Sequence, residues 1–175
     1  FLLFAKQTDL ARERLETVLS MAPENIDALM MMAAIQEQEK NPDEAASLYE
    51  TVMGIDAGMV NAYIGLARVR AQQGNPLETE RILKHAVEID AQNTSAPLSL
   101  VSFYLAAKKP EEAEKTLRTT IENNPENADL RLVLGSFYAQ SGKTDKAENA
   151  YQKAMALDPE NIRPRMVLAG FYENI

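Results

Sequence analysis

The 175-residue sequence predicts an all-helical solenoid built from a 34-residue repeat. Three observations carry that expectation. Residues of matching type recur in one 34-residue register, capping residues punctuate each recurrence, and the apolar positions between them follow helical spacing. A period of this length marks units that bury their apolar faces only by stacking on their neighbours.

The register rests on five series. Pro23, Pro125 and Pro159 lie at multiples of 34, with Ala57 and Ala91 in the gaps. Pro42, Pro76 and Pro110 form a second series, continued by Thr144. Ala11, Ala45, Thr79, Ala113 and Ala147 are small, whereas Met32, Leu66, Leu100, Leu134 and Leu168 are large and apolar. Leu15, Tyr49, Leu83, Leu117 and Tyr151 complete the set.

Residues 1–25 read as the back half of a repeat. Their opening Phe1-Leu2-Leu3-Phe4 lacks the basic region and cleavage site of a signal peptide. Complete repeats follow at 26–59, 60–93, 94–127 and 128–161, and 162–175 read as the first helix of another. Each repeat holds two helices of about 14 residues, an ordinary helix length. Asn25, Asn93, Asn127 and Asn161 are placed to cap first helices. Asn41-Pro42 and Asn75-Pro76 are placed to cap and open second helices, with Pro at the first helical position. Gly74 and Gly142 stand where a first helix ends and a left-handed residue is wanted. Within helices, Ile82, Leu83, Ala86, Val87 and Ile89 keep to one face, as do Leu134, Phe137 and Tyr138. Small residues at Ala45, Ala113 and Ala147 let paired helices approach, and Tyr49 and Tyr151 fill the space one turn later. The unfinished ends suggest a piece of a longer array. They also suggest head-to-tail self-association through Phe1, Phe4 and Phe171.

The segment 128–161 resembles the tetratricopeptide repeat (TPR). Leu134-Gly135 with Tyr138 match its first helix, Ala147, Tyr151 and Ala154 match its second, and Pro159 closes the unit. The resemblance extends over the whole chain, with departures. There is no Trp, Gln36 and Arg70 stand at an aromatic position, and Thr79 replaces Ala. It implies an all-α, right-handed superhelical solenoid of antiparallel helix-turn-helix repeats, a single array over 1–175, with first helices lining a concave groove. It also implies a non-enzymatic scaffold for protein–protein interaction.

By that resemblance the groove positions include Met30, Ile64, Arg68, Leu98, Ser102, Leu105, Leu132, Ser136 and Met166. Met30, Ile64, Leu98, Leu132 and Met166 form an apolar series. Two readings stay open for it: a slot for an apolar or amphipathic peptide, or side chains half-buried against the next helix. Some family members clamp a C-terminal carboxylate with cationic and amide groove residues. Met30, Ala34, Ile64 and Leu98 stand where that clamp needs them, and Arg68 is the lone cation of the central groove, so such a clamp is not expected. The alternative function is a structural spacer or oligomerisation element of a larger protein.

Composition removes other classes. A net charge of −8 opposes binding to nucleic acid or anionic lipid. With no Cys and one His, neither a thiol nucleophile nor a Cys/His metal site is expected. His85 has only Glu88 as a nearby carboxylate and is not expected to be a general base. No glycine-rich phosphate loop occurs among seven glycines, so no cofactor is expected. No apolar run is long enough to span a membrane. Asp43, Glu44, Glu111 and Glu112 read as solvated surface, with docking of a basic partner as the alternative. Cytoplasm and bacterial periplasm both fit this composition.

Overall fold

A computed structural model describes residues 2–173, with side chains from residue 7 onward. Among the described residues there are ten helices and no strand. They are α1 (Leu2–Met21), α2 (Ile26–Gln38), α3 (Pro42–Ile55), α4 (Val60–Gln72), α5 (Pro76–Ile89), α6 (Ser95–Ala106), α7 (Pro110–Asn123), α8 (Ala128–Gln140), α9 (Thr144–Leu157) and α10 (Ile162–Glu173). The fold class is the all-α helical repeat solenoid. No helix is long and apolar enough to cross a membrane among the residues described.

The chain divides into two compact units, Phe1–Ala96 and Pro97–Ile175. In the first, α1 packs on α2, α2 on α3, α3 on α4 and α4 on α5, and α4 also meets α2. First helices of successive repeats are thus neighbours, the contact that makes a stack rather than isolated hairpins. Leu15, Ala28 and Met32 form a buried cluster against which Leu19, Ile35 and Leu48 pack. Ala45 and Ala46 are shut away, so α3 lies close on α2, and Tyr49 and Val52 fill the following turn. Thr79 is buried in the place of Ala, and its hydroxyl donates to the Asn75 carbonyl at 2.9 Å. That local bond meets its polar demand without a cavity.

In the second unit, α7 packs on α8, α8 on α9 and α9 on α10, with α10 also meeting α8. Ala113, Leu117, Ala147 and Tyr151 are core residues, as the 34-residue series predicts, and Ala154 is buried with them. Phe171 sets its ring edge-on to Tyr151 at 5.5 Å. The side chains of Phe1 and Phe4 lie outside the described residues.

The caps divide into two kinds. Asn25 accepts from the Ala28 amide at 2.9 Å and Asn127 from the Leu130 amide at 3.1 Å. Asn93 accepts from the amides of Ser95 and Ala96, and Asn161 from that of Arg163. Asn41 and Asn75 are a correction: both occupy the N-cap position, yet neither side chain makes a capping bond. Asn41 instead donates to Gln36 Oε1 at 2.8 Å. With φ near −105° and Pro next in the chain, these turns are set by backbone geometry. Gly74 and Gly142 are left-handed as expected, at φ 75° and 68°. Lys40 and Lys108 hold the same conformation at φ 63° and 57°, where Cβ makes it costly.

Candidate partner-binding surface

Helix α4 lacks a side chain at Gly65, and the ring of Tyr49 from α3 occupies that space. A Cβ on Gly65 would stand 2.4 Å from Tyr49 Cζ. The ring therefore passes beneath α4 and brings its hydroxyl to the face that α2 and α4 share. There it donates to Glu37 Oε1 at 2.5 Å. Arg68, one turn beyond Ile64 on α4, grips the same carboxylate with two bonds, Nε to Oε2 at 2.6 Å and Nη2 to Oε1 at 2.7 Å. Nη2 also lies 3.4 Å from the Tyr49 hydroxyl.

The electrostatics follow from this geometry. Burial works to raise the Glu37 pKa, but the hydrogen bonds from Arg68 and Tyr49 and the Arg68 charge outweigh it. The net shift is downward from the ordinary carboxylate value. Burial, then the bond to Glu37, pushes Tyr49 up to about 12. The hydrogen bond to Glu37 raises Arg68 further still. Tyr, carboxylate and guanidinium are locked as one neutralised group. Arg68 is 54% exposed at its side chain, but its fork is already engaged.

Met30 lies two turns before Glu37 and Ile64 one turn before Arg68, so helical spacing puts both on this face. Each is half-buried. The face thus offers two apolar side chains bordered by a fixed ion pair.

In the second unit the remaining predicted residues fall into different environments. Ser102 and Leu105 are exposed, and Leu98 and Ser136 are half-buried. Ser136 Oγ accepts from the Tyr151 hydroxyl at 3.3 Å. Met166 is 67% exposed. Leu132 departs from the open series: at 5% exposure it belongs to the core and has no surface to offer.

Tyr49 and Glu37 were not among the positions the sequence singled out as partners of Arg68. The signal was present in the pairing of a large ring on one helix with a glycine on the next. Its offset from the usual Leu-Gly position concealed it.

His85 is exposed, with Nδ1 3.7 Å from Glu88 Oε2 and its ring edge-on to Tyr63 at 5.2 Å. No group of three His, Asp or Glu side chains suited to a metal ion occurs among the described residues.

Residues 2–123 match the family described as Protein kinase G tetratricopeptide repeat, and residues 100–162 match another described as tetratricopeptide repeat. No curated protein sequence matches the chain. Among solved structures the chain is similar to MamA, at 26% identity over 81% of this chain and 83% of that one, with a TM-score of 0.58. A thermophilic TPR protein of Thermus thermophilus is 19% identical over 98% and 94%, with a TM-score of 0.68. YrrB, described as a TPR protein with an unusual peptide-binding site, is 17% identical over 93% and 84%, with a TM-score of 0.58.

Proposed function

Because the chain belongs to the tetratricopeptide repeat family, whose members are generally non-enzymatic scaffolds for protein–protein interaction, we propose that it holds a peptide or helical segment of a partner on the face shared by α2 and α4. The segment is apolar or amphipathic. The observation that carries this reading is the pair of half-buried side chains, Met30 and Ile64, beside the locked Glu37–Arg68–Tyr49 group. Such a surface rewards an apolar side chain that completes the burial, and the flexible thioether of Met30 adapts to its shape. Within the second unit, taken by itself, Leu98, Ser102, Leu105, Ser136 and Met166 are the candidate contact positions, and Leu132 is buried.

Selection of a phage-displayed random peptide library on the protein tests this reading. Selected peptides should carry apolar anchors at helical or alternating spacing. They should bind the Met30→Gln/Ile64→Gln variant at least tenfold more weakly while circular dichroism shows helicity unchanged. Peptides that bind both proteins equally would sink the reading.

A second reading is favoured by one observation: α10 leaves Ile162 and Met166 each 67% exposed. Exposed apolar residues on a single helix suit association with another copy. Sedimentation velocity should then show concentration-dependent growth that Ile162→Lys/Met166→Lys abolishes, and a single invariant monomer boundary would exclude it.

A further inference from the structure

In the second unit, α7 and α9 flank α8 and leave a cleft of about 540 Å³ between them. Arg118 from α7, Arg131 from α8, and Lys146 and Lys153 from α9 line it, against the carboxylates of Glu122 and Asp145. Four cations facing two acids form a local reversal of sign on a chain of net charge −8. The floor is apolar. Leu134 lines it and is half-buried, whereas Met32, Leu66 and Leu100, its counterparts in the 34-residue register, are shut at 7%, 4% and 5% exposure.

Two repeats earlier the equivalent positions carry other residues. Tyr63 stands there at the position of Arg131 and His85 at that of Lys153. Tyr63 is 7% exposed and its ring packs edge-on against His85. Arginine and lysine in their place line the cleft with charge. Arg131 is only partly satisfied: Nη2 donates to the Pro125 carbonyl at 3.2 Å, while Nε is buried and has no partner. A buried donor without an acceptor is costly, so the fold leaves the Arg131 guanidinium incompletely satisfied. Lys146 holds its ammonium 5.4 Å from the centre of the Tyr138 ring, which fixes a second charge at the rim.

We propose that this cleft is a second binding site, distinct from the α2–α4 face, that takes an acidic peptide segment of a partner protein. A carboxylate of the peptide sits among Arg131, Lys146 and Lys153, and an adjoining aliphatic side chain covers Leu134. Glu122, Asp145 and the overall negative charge disfavour a phosphodiester backbone, and the apolar floor gives a bare anion nothing to cover. A short Glu/Leu segment satisfies both parts.

The experiment uses the full chain and a fluorescein-labelled peptide of alternating Glu and Leu, with the Gln/Leu peptide as control, read by anisotropy and by amide shifts. Saturable binding of the Glu peptide alone should move amides of α7, α8 and α9. It should weaken about tenfold or more in Arg131→Gln and in Lys153→Glu, a loss of one decade or above in Kd. Lys153 is exposed, so its variant tests the site even where Arg131→Gln disturbs folding. Arg81→Gln, an exposed substitution on α5 outside both surfaces, should bind as the parent does. The proposal is overturned by absence of saturable binding, by equal affinity for the Gln peptide, or by indifference to both substitutions. An RNA oligomer or inorganic phosphate that competes as well as the Glu peptide overturns it too.

Discussion

The ring of Tyr49 occupies the volume that a side chain at Gly65 would need, with three of its atoms between 2.4 and 2.8 Å of the virtual Cβ. Glycine inside a helix ordinarily costs about 1 kcal/mol against alanine, so its presence here serves the ring and not the helix.

Gly65→Ala should therefore destabilise despite its better helix propensity. The ring must shift, and overpacking of this kind costs roughly 1–3 kcal/mol. Urea denaturation measures the loss. In the Tyr49→Leu background the same substitution should cost less, because the clashing ring is gone, and a double-mutant cycle would expose the coupling.

Lys40 and Lys108 adopt the left-handed conformation that Gly74 and Gly142 adopt freely. Lys40→Gly and Lys108→Gly should each raise stability by about 1 kcal/mol, the usual strain of a side chain in this region. Gly74→Ala should lower it by a similar amount. Thermal melts under matched conditions would show opposite shifts for the two kinds of change.

The Glu37–Tyr49–Arg68 group makes stability depend on pH at both ends. Glu37 has a folded pKa below its ordinary value of 4.5, so its contribution is present above that value. It is lost as pH falls through the lowered one, because the unfolded chain then binds more protons. Tyr49 has a folded pKa raised from 10.0 to about 12, so its contribution is present below 10.0 and is lost as pH rises toward 12. Glu37→Gln should flatten the acid limb of the stability profile, and Tyr49→Phe the alkaline limb. Ultraviolet titration should show one late-ionising phenol missing from Tyr49→Phe.

Ala113 is fully buried, and the short side chain sets how closely α7 approaches its neighbours. Ala113→Leu should cost roughly 1–3 kcal/mol by overpacking. Equilibrium urea titration, with an unchanged slope, would identify this as a stability effect alone.

The helical repeat fold and most core positions were legible because stacking repeats impose the same demand every 34 residues. Leu15, Tyr49, Leu83, Leu117 and Tyr151 are all buried for that reason. Interactions peculiar to one repeat were less legible. Lys40 and Lys108 took left-handed turns without glycine, and Asn41 spent its amide on Gln36. The register alone left two readings for Leu132, whose side chain is buried. Arg68 reads in the sequence only as the lone cation of the central groove, because Glu37 lies 31 residues away and only the packing of α2 on α4 unites them. The charged cleft was hidden likewise: Arg118, Arg131 and Lys153 are scattered along the chain and converge only when α7, α8 and α9 pack.

The engagement of Arg68 by Glu37 also sets what kind of recognition its surface performs. Since both charges are spoken for, added electrolyte has little left there to shield, and discrimination rests on contour. The lysine- and arginine-lined cleft has the opposite temperament, since a guest drawn by its sign would be released as ionic strength climbs. One chain would thus respond to its medium at one address and ignore it at the other.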